Sequence, residues 1–252
     1  MTELYSRLSI TIARHGETDY NKPPIRLQGH LDVPLNATGR RQAKALGDRL
    51  SSEEFDLIYC SDLSRTKQTL EPLLEYKKEQ RVVYEPRLRE RDTGALTDVL
   101  WSEAQQIIDA AGQTFEEYVS LSGESATQFY DRVSRFWDSI ISTYLAQNGS
   151  DKDQTKDELK ILIVTHGGVI VNLLTHLTKE LQYQSSGAEN WKKLAKNTAI
   201  YRIQVGSQLD VVKGDILLAN CSTHLDDVQN LDILEQHNSK LVDDFAQKMK
   251  YY

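Results

Sequence analysis

Short β-branched runs alternating with stretches of helical spacing restrict this chain to a layered α/β architecture. The runs are "LSITIA" at 8–13, "DLIYC" at 56–60, "RVVY" at 81–84, "KILIVT" at 160–165 and "AIYRIQV" at 199–205. Helical periodicity occupies 39–53, 63–76, 101–110, 125–146 and 168–179. Strands that alternate with helices build βαβ units, whose parallel sheet is covered on both faces. The predicted fold is therefore a three-layer α/β/α sandwich with a largely parallel sheet. "LDVVKGDILLAN" at 209–220 reads as a late hairpin with Gly214 near its turn, which makes the sheet mixed. Residues 147–158 are polar throughout and read as a solvated connection. From 231 to 250, Leu231, Leu234, Leu241 and Phe245 form the apolar stripe of a C-terminal helical tail.

At 252 residues the chain is long enough for one large core, and it reads as a single domain over 1–252. A mean hydropathy of -0.52, with no long apolar run, argues against a membrane span. The N-terminal "MTELYSRLSI" lacks a basic segment followed by an apolar one, and two cysteines, Cys60 and Cys221, are too few for a disulfide framework. The expected compartment is the cytoplasm. A net charge of -7 works against binding to nucleic acid or to an acidic membrane surface. An anionic ligand would have to be met by local arginines and histidines.

Two strands end in the same way. "TIARHG" delivers Arg14, His15 and Gly16, and "IVTHGG" delivers His166, Gly167 and Gly168. In open α/β sheets, ligands bind beyond the carboxyl ends of the strands, where helix N-termini favour anions. One His-Gly ending is most simply a hydrogen-bonded core histidine. Two matching endings, one with an arginine before it, point to a site instead. "SDLSRTKQT" at 61–69 adds Arg65 in the first turn after a strand, and "RLRERDTG" at 87–94 adds Glu90 among three arginines. Alone, Arg65 would be a surface helix residue and Glu90 a member of a solvated charge cluster. Their shared position after successive strands favours a common site.

Together "RHGET" with Asn21 behind it, "LQGH" at 27–30, "SDLSRTKQT", "LRER" and "VTHGG" resemble the histidine phosphatase superfamily of phosphoglycerate mutase-like proteins, over about residues 8–220. Within it, Arg89-Glu90-Arg91 is similar to the motif of TIGAR-type fructose-bisphosphatase-like phosphatases. The resemblance implies phosphoryl transfer through a phosphohistidine on His15. Arg14, Arg65 and, if protonated, His166 would stabilise the equatorial oxygens, and Glu90 would protonate the leaving alkoxide and later activate water. Asn21, Gln28, Gly29 and Gly167 are implied phosphate or substrate contacts. The expected partner is a small phosphorylated substrate. No cofactor is expected and no metal, because the six histidines form no HExxH or Cys-His pattern. No motif specifies an oligomeric state.

The sequence also departs from its relatives. Thr97 and Asp98 stand where the segment after the catalytic glutamate usually ends in glycine. Thr93 replaces a substrate-binding tyrosine of the mutases, and the mutases' arginine pair is missing. These differences disfavour a mutase. The family's small helical cap would fall at about 92–125, inside a run from 92 to 131 with eight carboxylates and no lysine or arginine. That run predicts a phosphomonoester less anionic than fructose 2,6-bisphosphate. A non-catalytic phosphate-pocket protein is the remaining alternative.

Overall fold

The computed structural model describes residues 6–147, 158–186, 193–208 and 211–226. The tail expected at 231–250 and most of the polar connection at 147–158 lie outside them. Strands β1 (Ser6–Arg14), β2 (Leu57–Cys60), β3 (Val82–Tyr84), β4 (Glu158–Thr165), β5 (Ile200–Gln208) and β6 (Val211–Cys221) form one sheet in the order β3-β2-β4-β1-β5-β6. The first four are mutually parallel, β5 runs antiparallel to β1, and β6 runs antiparallel to β5. The sheet is largely parallel, as the alternation predicts, and it is mixed because β5 and β6 run antiparallel to their neighbours.

Side chains alternate between its faces with the period of two that a strand imposes. Leu8, Ile10 and Ile12 of β1 and Ile161 and Ile163 of β4 pack against α5 (Ala126–Gln147) and α6 (Gly167–Thr175) through Phe129, Trp137 and Ile170. Leu162 and Val164 face the other way, toward Leu46 and Leu50 of α1 (Ala37–Leu50) and Leu70 and Leu73 of α2 (Ser64–Tyr76). These helices and the sheet make the three layers. Helix α6 ends in one π turn, His176–Glu180. No helix among the described residues is long and apolar enough to cross a membrane.

The hairpin expected within 209–220 is not present: 211–221 is one continuous strand paired with β5. Gly214 lies inside it, opposite Val205, and a Cβ there would come within 2.1 Å of the Tyr183 ring. This glycine serves close packing of an aromatic side chain on the strand, not a turn.

Within 92–125, α3 (Trp101–Ala111) and α4 (Phe115–Ser120) bury Ala104, Ile108, Phe115 and Val119 with Leu27 and Leu96 in a small cluster of their own. Six residues are too few for α4 to show a helical period. It begins in a reciprocal cap in which Thr114 Oγ1 accepts from the Glu117 amide and the Thr114 amide donates to Glu117 Oε2. Backbone bonds from Leu27 to Val99 and from Asp98 to Leu27 tie this unit to the 25–27 segment. Asp98 has φ 66°, the left-handed conformation that favours glycine. Here its carboxylate accepts from the Tyr20 hydroxyl at 2.6 Å and pairs with Arg26 at 3.3 Å.

Candidate active site

Strand order explains why two distant histidines meet. Strand β4 inserts between β1 and β2, in a register that sets Arg14 opposite Thr165. The next residue of each strand is a histidine, so their ring centroids lie 5.2 Å apart. The His15 amide donates to the Thr165 carbonyl at 2.9 Å, and the Ser61 amide, one step past β2, donates to Val164 at 3.0 Å. Helices α1 and α6 then leave β1 and β4 toward opposite faces. These are the carboxyl ends of the strands, the edge at which open α/β sheets bind their ligands.

His15 is buried, and its Nδ1 is 2.7 Å from the Gly16 carbonyl oxygen. A carbonyl only accepts, so Nδ1 carries the proton and Nε2 holds the lone pair. Burial, with Arg14 and Arg65 adding repulsion, keeps the ring's pKa well below the ordinary 6.5. It is a neutral imidazole of fixed tautomer. The Gly16 amide donates to Thr69 Oγ1 at 2.8 Å, and a Cβ at Gly16 would meet the Gly39 carbonyl at 2.6 Å. This turn tolerates no larger residue without a shift of α1.

Arg65 is fully buried, although its position in a first helical turn suggests the surface. Its Nη1 donates to Leu31 O at 2.8 Å, its Nη2 to Gly29 O at 3.0 Å and its Nε to His166 Nδ1 at 3.2 Å. Burial brings its pKa down to about 10. Because Nδ1 of His166 accepts from an arginine, the ring is neutral and its Nε2–H is free to donate to Ser61 Oγ at 2.8 Å. Burial and the nearby Arg65 hold the His166 pKa well below 6.5 as well. In this state His166 is a neutral imidazole, so the condition on which it would add positive charge is not met.

Arg14 leaves β1 beside Gly167 and donates from Nη1 to the Ala195 carbonyl. Its buried Nε has no hydrogen-bond partner among the described residues. An orphaned guanidinium donor at the start of a helix is a place for an anion. Gly167 is the first residue of α6, and a first-turn amide has no partner within its own helix.

Glu90 is held by both carboxylate oxygens. Oε1 accepts from the Arg91 amide and Oε2 from the Gly168 amide, each at 2.9 Å. A Cβ on Gly168 would come within 2.1 Å of Glu90 Oε1. Gly168→Ala is therefore expected to displace the carboxylate and, with Glu90 a candidate catalytic group, to lower kcat by about 10²-fold, the scale of a 1 Å misplacement. An unchanged kcat in steady-state assays of that variant would show that Glu90 does not depend on this contact.

The remaining expected residues sit nearby but face one another. Asn21 Oδ1 accepts from the Thr18 amide at 3.1 Å, Gln28 Oε1 accepts from Thr18 Oγ1 at 3.1 Å, and Gly29 takes φ 48° with its carbonyl on Arg65. Sequence reading missed Ser61, Thr18 and Asn197. Asn197 Nδ2 donates to the His15 carbonyl at 3.0 Å and lies 3.4 Å from Asn21 Oδ1. Its signal was its place just before β5, and only an antiparallel β5 starts at the active edge. Among the described residues, no group of three or more His, Cys, Asp or Glu is placed to hold a metal ion.

The buried neutral imidazoles also make stability depend on pH. His15 and His166 lie well below 6.5, and burial lowers His224 to about 4. Unfolded imidazoles bind protons below about pH 6.5 while these folded ones do not, so their contribution is complete above that pH and is lost as pH falls. Tm is expected to drop between pH 7 and 5, above the range where carboxylates titrate. A flat or rising Tm over that interval would refute this.

A family model described as the histidine phosphatase superfamily (branch 1) matches residues 10–213. A probable phosphatase of Schizosaccharomyces pombe is 34% identical over 200 residues, covering 79% of this chain and 87% of that protein. The fructose-2,6-bisphosphatase TIGAR of Mus musculus is 40% identical over 147 residues, which is 57% of this chain and 54% of that protein. A crystal structure of phosphoglycerate mutase from Bacillus anthracis superposes with a TM-score of 0.68 at 21% identity, covering 88% of this chain and 97% of that one, a likeness of fold.

Proposed function

We propose, on the premise that the chain belongs to the histidine phosphatase superfamily and is a phosphoric monoester hydrolase, that it hydrolyses small phosphorylated metabolites through a phosphohistidine on His15. The observation that carries this reading is the His15 ring itself: neutral, with Nδ1–H on the Gly16 carbonyl at 2.7 Å and a lone pair left at Nε2. Nε2 attacks phosphorus in line as the bond to the leaving oxygen breaks, and protonated Glu90 gives that oxygen its proton. Glu90, now a carboxylate, takes a proton from water as the water attacks phosphorus and the P–N bond breaks. Phosphate leaves and both groups are restored.

Arg14 and Arg65 supply the positive charge for the equatorial oxygens, so the reaction proceeds without a metal. His166, neutral between Arg65 and Ser61, fixes the guanidinium's orientation. Gly167 offers its amide to the phosphate. Asn21, Gln28 and Gly29 shape the loop that closes one side of the pocket, and residues 92–125 act as the cap over the rest of the substrate.

The substrate class follows from how the surrounding cations are used. Lys22 pairs with Glu17, Arg26 with Asp98, Arg89 with Asp62, Arg91 with Glu116 and Arg132 with Glu124. To take its counter-charge from any of these five cations, a second phosphate would have to break an existing pair. The preferred substrates are monophosphates, including sugar monophosphates, in contrast to what the murine relative's name denotes. Phosphate release from a panel of phosphorylated metabolites, with no metal added, tests this. A higher kcat/KM for monophosphates than for matched bisphosphates is expected. Parity, or preference for the bisphosphate, would overturn the substrate class, and no release from any member would favour a phosphate-binding protein.

A further inference from the structure

We infer that Arg132, with Glu124 as its counter-ion, is the positioning residue that presents Glu90 to the leaving group. The inference deepens the proposed function and rests on its reading of Glu90 as the proton donor. The two carboxylate oxygens of Glu90 are held by backbone amides, but those amides orient nothing unless the 87–92 backbone is itself fixed. No regular element fixes it, since a short 3-10 turn ends at Leu88 and the next begins at Gly94.

Arg132 does so from α5, 42 residues further along the chain than Glu90. Its Nη1 donates to the carbonyls of Arg87 at 2.7 Å and Arg89 at 2.9 Å, and its Nη2 donates to the carbonyl of Glu90 at 3.1 Å. The rest of the fork goes to Glu124, Nε to Oε1 and Nη2 to Oε2, both at 2.7 Å. All five guanidinium N–H donors are thereby matched, three of them to carbonyls of the segment that carries Glu90. A lysine has neither the number of donors nor the planar fork to do this.

Glu124 completes the clamp through its own backbone. Its amide donates to Asp92 O at 2.9 Å, and its carbonyl accepts from Arg91 Nε at 2.8 Å. The Glu90 carbonyl also receives His30 Nε2 at 2.8 Å from the opposite side. One turn before Arg132 on α5, Phe129 sits under the guanidinium at 5.0 Å and packs beside Gly168, whose amide holds the Glu90 carboxylate. The clamp therefore touches the peptide of Glu90 and the partner of its side chain, while no bond from it reaches His15.

That separation gives the test. Protonation by Glu90 matters for an alkyl phosphate, whose leaving group is strongly basic, and hardly for p-nitrophenyl phosphate in the burst phase, where only attack by His15 is read. With correct folding checked by circular dichroism, Arg132→Met is expected to lower turnover of an alkyl phosphate about 10- to 100-fold, within the range a general acid supplies, while leaving the nitrophenol burst rate within about threefold. Arg132→Lys should recover only part of the loss. In a Glu90→Gln background the same change should cost less than about threefold, because the group it positions is gone. Should Arg132→Met be too unstable, Arg132→Met with Glu124→Gln leaves no unpaired carboxylate, and Glu124→Gln alone should show the same split at about 3- to 10-fold.

Equal losses on both substrates, or an undiminished loss in the Glu90→Gln background, would overturn the inference and make the clamp merely structural. If Glu90→Gln itself showed no difference between the two substrates, the failure would lie with the reading of Glu90 instead.

Discussion

Replacement of His15 by alanine is expected to lower turnover of every phosphomonoester by at least about 10⁴-fold, the scale seen when a covalent nucleophile is removed. It should also abolish any acid-labile, alkali-stable phosphoenzyme trapped from labelled substrate. Of the two histidines that meet at the strand ends, His15 alone keeps an unshared lone pair, since His166 spends both ring nitrogens on Arg65 and Ser61. The fold should persist, because β1 is fixed by its pairing with β4 and β5 and not by the imidazole. Leaving the Gly16 carbonyl without its donor costs about 1–3 kcal/mol, which a melting curve would register without unfolding the protein at room temperature. A folded variant that retained more than a hundredth of wild-type activity would rule out His15 as the nucleophile.

Glu90→Gln is expected to cost about 10²- to 10⁴-fold on alkyl phosphates, because it removes the proposed proton donor while keeping the size of the side chain. Its effect is also partly positional. Glu90 accepts from two backbone amides, one on each oxygen, and glutamine offers one oxygen and one NH2 to the same pair. Either the Arg91 or the Gly168 amide then faces a donor, so the side chain is pushed from its place. With p-nitrophenyl phosphate the variant should release one burst of nitrophenol and then stall, because the proposed phosphohistidine would lack the base that activates water. Rapid-quench measurement of the phosphoenzyme would follow this directly. Wild-type turnover of alkyl phosphates by a folded Glu90→Gln protein would remove Glu90 from the chemistry.

The sequence alone determined a good deal here. Alternating β-branched and helical segments specify the layers, since each element has one apolar face or stripe that must be covered. The residue types that suit phosphate chemistry stand at strand ends by covalent connectivity alone, so Arg14, His15, Arg65, Glu90 and His166 were all legible. What the spacing could not supply was strand order and direction. Only the insertion of β4 between β1 and β2 sets His15 beside His166, and only an antiparallel β5 brings Asn197 to the same edge. Gly214 was misread for the same reason, because a glycine in a strand looks like a turn until the ring packed on it is seen.

Charge states likewise depended on the tertiary structure. The sequence leaves the charge of His166 open, and burial with the Arg65 donor keeps it neutral. The acidic run over 92–131 read as free negative charge, and in the fold Glu116 and Glu124 neutralise Arg91 and Arg132. Local sequence fixes which groups a segment carries. Their partners, and so their protonation and reach, come from residues tens of positions away, because hydrogen bonds and fields act through space and not along the chain.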